Sequence, residues 1–278
     1  MEYFGDYHSH TTYADGHHTP DEMVKTAYEK GLKYFGLSEH LYDEGEDFGV
    51  KGEDIDKYLA DICRLKKEYE GKMQVLAGFE CEDYDSHLFI TDEQRSLVDY
   101  WIRSTHTIYK DGKPEPLDSD LNMLLDIINN DYGGDWFAML ENYYVNYESK
   151  ISDKFDYAFI GHIDVITKFN QDDRFFNTHC DRYKELALYA LKELSHAGIP
   201  FEVNLGGINR GRRLEPYPQD FILKELKSLG GKIIFGSDAH DASQIAGAFD
   251  IGARLAYDCG FRKRCILTKD GMMEVDLC

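Results

Sequence analysis

Residues 232–240 read Lys232-Ile-Ile-Phe-Gly-Ser-Asp-Ala-His240. A short apolar run, long enough for one buried strand, gives way to two side chains that carry chemistry. The same construction recurs along the chain. Tyr3–His8 leads into His8-Ser-His10, Lys33–Ser38 into Glu39-His40, and Met73–Glu80 ends on Glu80. Tyr100–His106 ends on His106, Asp156–His162 on Gly161-His162, and Phe201–Asn204 carries Glu202 and Asn204. Helical patterns lie between these runs. Thr19-Pro20-Asp21-Glu22 supplies an N-cap, a proline at the first helical position and acidic first-turn residues, with Gly31 past the end. Asp54–Tyr69 sets Ile55, Leu59, Ile62 and Leu65 on one face. Asp181–Ala197 and Pro218–Leu229 are closed by Gly198 and Gly230-Gly231. Strand and helix signals in alternation predict βαβ units and a mainly parallel sheet, an α/β fold of seven strands.

Two segments depart from this rhythm. Residues 107–154 are longer than one crossover needs, and contain the apolar run Leu121–Ile128 and the aromatic residues Trp136, Phe137, Tyr143, Tyr144 and Tyr147. They predict a helical insertion of two helices after the fourth strand, with packing against the sheet favoured over a lid. Cys265–Val275 predicts a β-hairpin around Asp270-Gly271.

Length and charge narrow the function. With 278 residues the chain allows one large domain or two small ones, and 42% apolar side chains are ample for a core; one barrel domain over 1–278, with 107–154 as an insertion, is the expectation. Its 52 acidic and 31 basic residues leave a net charge of −21, and no compact Lys/Arg cluster offsets it. Such a surface repels phosphate backbones and anionic lipid, so neither nucleic acid nor membrane is an expected partner. There is no apolar stretch of spanning length, no signal-peptide pattern at the N-terminus and no C-x-x-C among the six cysteines. A cytoplasmic protein with structural thiols is the expectation.

The strand ends carry the chemistry. In a closed parallel barrel the C-terminal ends of the strands face one mouth. His8 and His10 project to the same side of an extended segment, as do Asp238 and His240. Together with Asp15, His40, Glu80, His106 and His162 they make six imidazoles and three carboxylates. A single histidine at a strand end is ordinarily just a hydrogen-bonded residue, and neither H-x-H nor D-x-H is specific. The joint arrangement is, because polar groups crowded at apolar strand ends are costly to bury unless cations join them. The donor types suit zinc, manganese or iron. One mononuclear site takes about four protein ligands, so this set predicts two or three metals with Glu80 or Asp238 bridging. His17 and His18 lie near Asp15, whereas His87, His179 and His196 are expected to be structural.

At these residues the chain resembles the polymerase and histidinol phosphatase (PHP) family. The shared motifs are His8-Ser-His10-Thr11 with Asp15-Gly16, Gly36-Leu-Ser-Glu-His40, Gly78-Phe-Glu80, Ser104-Thr-His106, Gly161-His162 and Ser237-Asp238-Ala-His240. Within the family it is most similar to the stand-alone histidinol-phosphate phosphatases, through Phe201-Glu202-Val-Asn204, Arg210 and Tyr217-Pro218. The resemblance implies a distorted (β/α)7 barrel, a trinuclear centre of divalent transition metals, and hydrolysis of L-histidinol phosphate to L-histidinol and phosphate in L-histidine biosynthesis. It implies a metal-activated hydroxide held by Glu80 and Asp238 as the attacking group, and leaves the proton donor unassigned. Arg210, in the Gly-rich loop 206–211, is the expected phosphate clamp, with Lys168 a second candidate. Glu202 is expected to receive the substrate amine, with Asn204 beside it. The alternatives are a phosphodiesterase or nuclease on the same scaffold, a phosphatase of another small phosphomonoester, an amidohydrolase-like C–N hydrolase, and a structural metal module.

Overall fold

The structure is a computed structural model that describes residues 4–41, 49–82, 90–149 and 156–277. Its frame is a nine-stranded sheet in the order β1-β2-β3-β4-β7-β8-β9-β10-β11. The strands are β1 (Gly5–Asp6), β2 (Tyr34–Leu41), β3 (Gln74–Glu82), β4 (Tyr100–Ser104), β7 (Tyr157–Ile160), β8 (Phe201–Asn204), β9 (Ile233–Gly236), β10 (Lys263–Thr268) and β11 (Gly271–Asp276), while β5 (Thr107–Lys110) and β6 (Lys113–Pro116) form a separate hairpin. Every pairing from β1 to β10 in the large sheet is parallel, and β11 runs antiparallel to β10.

The sheet curls until its ends meet. Past β1 and β9 the chains pair again through a parallel bridge, Ser9 to Ala239. His10 N–H donates to Ala239 O at 2.8 Å, and Ala239 N–H donates to His8 O at 3.2 Å. Lower down, the edge of β9 belongs to β10, with Ile234 opposite Cys265. Seven parallel strands therefore close only at their C-terminal rim, and the β10–β11 hairpin holds the other end apart. This is the distorted barrel the family resemblance implies, on the seven strands read from the sequence, extended by the predicted hairpin.

Alternation along the strands stacks the interior in layers. Gly36, Ser38 and His40 share one face of β2; Leu76, Gly78, Glu80 and Glu82 share one face of β3. The Tyr100 ring lies over Gly36 and Gly78, where an added Cβ would approach it to 2.3 and 2.2 Å, so only glycine fits beneath it. Tyr7, Leu76, Tyr100, Ile102, Phe159 and Ile234 make this inner layer apolar. Polar side chains occupy the layer nearer the strand ends.

The strand ends differ from expectation in ways that pairing explains. β2 and β3 run on to Leu41 and Glu82 because each continues to pair with the other, so His40 and Glu80 are cross-strand neighbours inside the sheet. β4 stops at Ser104 and His106 stands beyond it. The helix expected from Pro218 begins at Asp220, and the one expected to reach Ala197 ends at Ser195. Thr19 caps the helix Pro20–Glu29 as predicted, with Glu22 completing a capping box.

The insertion has its two expected helices, Leu121–Asp131 and Trp136–Ser149. Leu124, Ile128, Met139, Leu140, Tyr143 and Tyr144 are buried in one cluster with Ile163, Tyr183 and Leu191. Tyr143 Oη donates to Ile163 O at 3.0 Å. The helices thus pack as part of the core. The β5–β6 hairpin before them was not expected, although Asp111-Gly112 at its turn, with φ of 52° and 79°, is a strong hairpin signal. No helix among the described residues is long and apolar enough to cross a membrane.

Candidate metal centre

The closed rim gathers all nine side chains expected as ligands. Glu80 stands at the centre, fully buried. Its Oε2 lies 3.1 Å from His8 Nε2, 2.8 Å from His40 Nδ1 and 3.7 Å from His10 Nε2; its Oε1 lies 2.9 Å from His162 Nε2 and 3.3 Å from His106 Nε2. Asp238 Oδ1 is 3.6 Å from His10 Nε2 and 3.4 Å from His240 Nδ1. Asp15 reaches His240 Nε2 at 3.1 Å and His40 Nε2 at 3.6 Å. The donor atoms fall into four overlapping groups, each compact enough for one ion: His10-Asp15-His40-His240, His8-His10-Asp238, His8-Glu80-His162 and His40-Glu80-His106.

Several of these atoms have no other use. Among the described residues, His8 Nε2 and Glu80 Oε2 face each other at 3.1 Å without a well-formed hydrogen bond, and both ring nitrogens of His10 are buried in the same condition. Buried donors and acceptors left in this condition are expensive. Imidazole and carboxylate converging on one spot are the ligand set of divalent transition metals, and the residues present fit such ions.

The electrostatics agree. Burial alone would raise the Glu80 carboxyl, but His8, His106 and His40 outweigh it and hold it well below the usual range. Burial likewise opposes ionisation of Asp238, and Arg210 and His8 overcome it. Burial lowers the imidazoles as well; for His8, the carboxylates of Glu202 and Glu80 reverse that and push it well above its ordinary value. For His10, burial acts together with His40 and His240 and keeps the ring neutral. The cluster is thus a set of ionised carboxylates that demands positive charge.

A second set of carboxylates orients the imidazoles from behind. Glu202 Oε1 lies 2.7 Å from His8 Nδ1, and Glu82 Oε1 lies 2.7 Å from His106 Nδ1. Each arrangement places the ring proton on Nδ1 and turns Nε2 toward Glu80. Glu39, also buried, accepts from the Thr11 backbone at 3.1 Å and from its hydroxyl at 2.6 Å, which fixes the segment that carries His8 and His10.

This corrects two expectations. Glu202 does not line the pocket over the cluster: it is buried, and its second oxygen accepts from His162 N–H at 3.1 Å and Asn204 Nδ2 at 3.0 Å. Asn204 is buried too, with its amide shared between Glu202 and Asp238 Oδ2 and its oxygen accepting from Gly206 N–H. Both belong to the support of the centre, because β8 enters the layer beneath the rim.

A pocket of about 340 Å³ opens over the cluster. Arg210 and Lys168 line it as expected, and both are engaged. Arg210 Nη2 donates to Asp238 Oδ2 at 2.9 Å and its Nη1 to Asp238 O at 2.8 Å. Lys168 Nζ holds the Asp118 carboxylate at 3.0 Å and its carbonyl. His17 lines the pocket, and His18 accepts from Ala242 N–H at 3.3 Å. His179 and His196 are exposed away from the pocket, and His87 lies outside the described residues. Glu82, Asp118 and Arg212 belong to the site without having been expected there, and Tyr217, from the motif that carries the resemblance, lines the pocket as well. Glu82 had a signal, two residues beyond Glu80 on the same strand face; Asp118 had none, since it comes from the insertion.

A model of the PHP domain matches residues 6–205, most of the chain and all but the last two expected ligands. The chain belongs to the PHP domain family. A histidinol-phosphatase of Bacillus subtilis is 26% identical over 262 residues, spanning 85% of this PHP chain and 96% of its own. Among solved structures, a Listeria monocytogenes protein described as a histidinol phosphatase superposes with a TM-score of 0.78 at 20% identity, over 89% of this chain and 99% of its own. The histidinol phosphate phosphatase of Lactococcus lactis, solved with zinc, L-histidinol and phosphate, gives 0.66 at 20% identity, over 97% of this chain and 98% of its own. At that identity the structures establish the shared PHP fold.

Proposed function

We propose that this PHP protein is a metal-dependent phosphomonoesterase that hydrolyses L-histidinol phosphate to L-histidinol and phosphate. The observation that carries the reading is the convergence of six imidazoles and three carboxylates on one rim, under a pocket sized for a small molecule. The names of its curated relatives supply the substrate.

Three divalent ions of the zinc, manganese or iron kind, when bound, supply activated water and offset the charge that builds on the phosphoryl group. His8, His10, Asp15, His40, Glu80, His106, His162, Asp238 and His240 are their ligands in this reading. Glu80 belongs to two of the donor groups and presents both oxygens, so it would be shared between ions, and Asp238 would be the second candidate for that role. Glu202 and Glu82 hold His8 and His106 in the tautomer that coordinates. Arg210 and Lys168 add positive charge at the pocket wall of this acidic chain. The substrate amine meets the carboxylate of Asp118 at the pocket wall, in place of Glu202. Asp118 is suited to that: burial would raise it, but Lys168 and His106 bring it down to about 2, so it is ionised. One PHP-type domain spans 1–278 with 107–154 as its insertion, working in the cytoplasm where a soluble biosynthetic intermediate is met.

The test is a parallel assay of histidinol phosphate, a generic aryl phosphate, an aryl phosphodiester and single-stranded DNA with the metal-supplemented protein. Histidinol phosphate should be turned over with the highest kcat/KM and the last two negligibly. Preference for the diester or DNA would replace this reading with the nuclease one.

A further inference from the structure

We propose that Arg212 is the side chain that receives the phosphate of the incoming substrate and sets the preference for dianionic monoesters. The inference rests on the phosphomonoesterase reading and adds to it a specificity-determining residue.

Three cationic side chains other than histidine line the pocket: Lys168, Arg210 and Arg212. The first two are already committed, Lys168 to the carboxylate and carbonyl of Asp118, and Arg210 to both carboxylate oxygens and the carbonyl of Asp238. For either to take a phosphate, it must share or surrender a charge-assisted contact. Among the described residues, the Arg212 side chain makes no hydrogen bond and no ion pair. It is exposed, whereas its own backbone is fixed: Arg212 N–H donates to Gly207 O at 2.9 Å. Its neighbour Arg213 is committed elsewhere, donating to Thr167 O at 2.9 Å and Oγ1 at 2.7 Å and stacking on Tyr217 at 4.4 Å. The loop therefore anchors one arginine and leaves the other unengaged.

Position strengthens the case. Arg212 lines both the pocket over the centre and a neighbouring cavity of about 730 Å³, so it is exposed to both. A phosphate dianion approaching a chain of net charge −21 meets repulsion almost everywhere. An unpaired guanidinium at the mouth reverses that locally, and its planar fork matches two phosphate oxygens at once.

The experiment compares the metal-loaded wild type with Arg212→Gln, Arg212→Lys and the control Arg254→Gln. Arg254 pairs with Asp258 on the helix Phe249–Asp258 outside the pocket, and its substitution changes the net charge equally. KM and kcat are measured on aryl phosphate and histidinol phosphate, the Kd of inorganic phosphate by calorimetry, and metal content by elemental analysis. Arg212→Gln should raise KM and the phosphate Kd by roughly 10–100-fold, the scale of a lost charge-assisted pair, with metal content unchanged. Arg212→Lys should fall between, and Arg254→Gln should match the wild type. Wild-type KM and Kd in Arg212→Gln, or an equal loss in Arg254→Gln, would overturn the assignment. Absence of phosphomonoester turnover in the wild type would overturn the phosphatase reading instead, and the phosphate-binding arm would still decide the role of Arg212.

Discussion

Glu80 is the side chain on which the centre turns. Five imidazoles address its two oxygens, and it is fully buried among them. Glu80→Gln keeps the shape and removes the charge, so bound metal should fall and turnover should drop by roughly 10²–10³-fold, measured by elemental analysis and steady-state kinetics. The carboxylates behind the rings give a subtler test. Glu202→Gln leaves all nine proposed ligands in place but no longer fixes the His8 proton. Metal affinity should weaken about 10–100-fold in a competition titration with a chromogenic chelator, the usual cost of losing such a partner. An unchanged affinity would make Glu202 a packing residue. At this scale the sequence was informative where spacing carries geometry: His8-x-His10 and Asp238-x-His240 each turn two donors to one side. It was silent where a residue's role depends on what lies across the barrel. Nothing local separates Glu202, which supports His8, from Glu80, which His8 faces.

At the scale of elements, the segment that follows β8 holds the centre's far wall. Asn209 Nδ2 donates to Ser237 O at 2.9 Å, and a Cβ on Gly206 would sit 2.5 Å from Asp238 Oδ2 and 2.6 Å from Arg210 Nη2. Gly206→Ala should therefore displace Asp238 and lower metal content, while the chain still folds by circular dichroism. Normal metal content in that variant would show that the wall yields. The helical insertion behaves differently. Tyr143→Phe removes a buried hydrogen bond to Ile163 O and leaves that carbonyl unpaired, so stability should fall by about 1–3 kcal/mol in urea unfolding. Strand and helix order were legible because apolar runs and capped amphipathic helices alternate without ambiguity. The β5–β6 hairpin was legible at Asp111-Gly112 and was passed over because the helices beyond it dominate the segment. Strand ends were not, since β2 and β3 extend only as far as each finds the other as a partner.

For the whole molecule, closure and metal binding are one problem. The bridge from Ser9 to Ala239 joins the first and last strands of the barrel beside His8, His10, Asp238 and His240, so ions held there tie the two ends of the chain together. Chelation should lower Tm by roughly 5 °C or more, and added zinc or manganese should restore it, because ligands of the folded state stabilise it by mass action. Binding should also release protons. In the metal-free chain burial opposes charging of His106, yet Glu80 and Asp118 lift it to about 10, and His8 is lifted as well, so both carry protons at neutral pH. A metal must displace them, so affinity should weaken as pH falls and strengthen as it rises, with the released protons visible in calorimetry across buffers of different ionisation heat. The closed rim was foreseeable from seven polar strand ends; the wedge that opens the opposite end was not, because a C-terminal hairpin does not announce which edge it joins.

The most direct measurement is the metal content of the protein purified without chelator and saturated with a single divalent transition metal. The arrangement described here predicts more than one tightly held ion per chain, approaching three, and fewer in Glu80→Gln, which removes a ligand from two of the four donor groups. One ion or none in the wild type, with Glu80→Gln indistinguishable from it, would contradict the account at its centre.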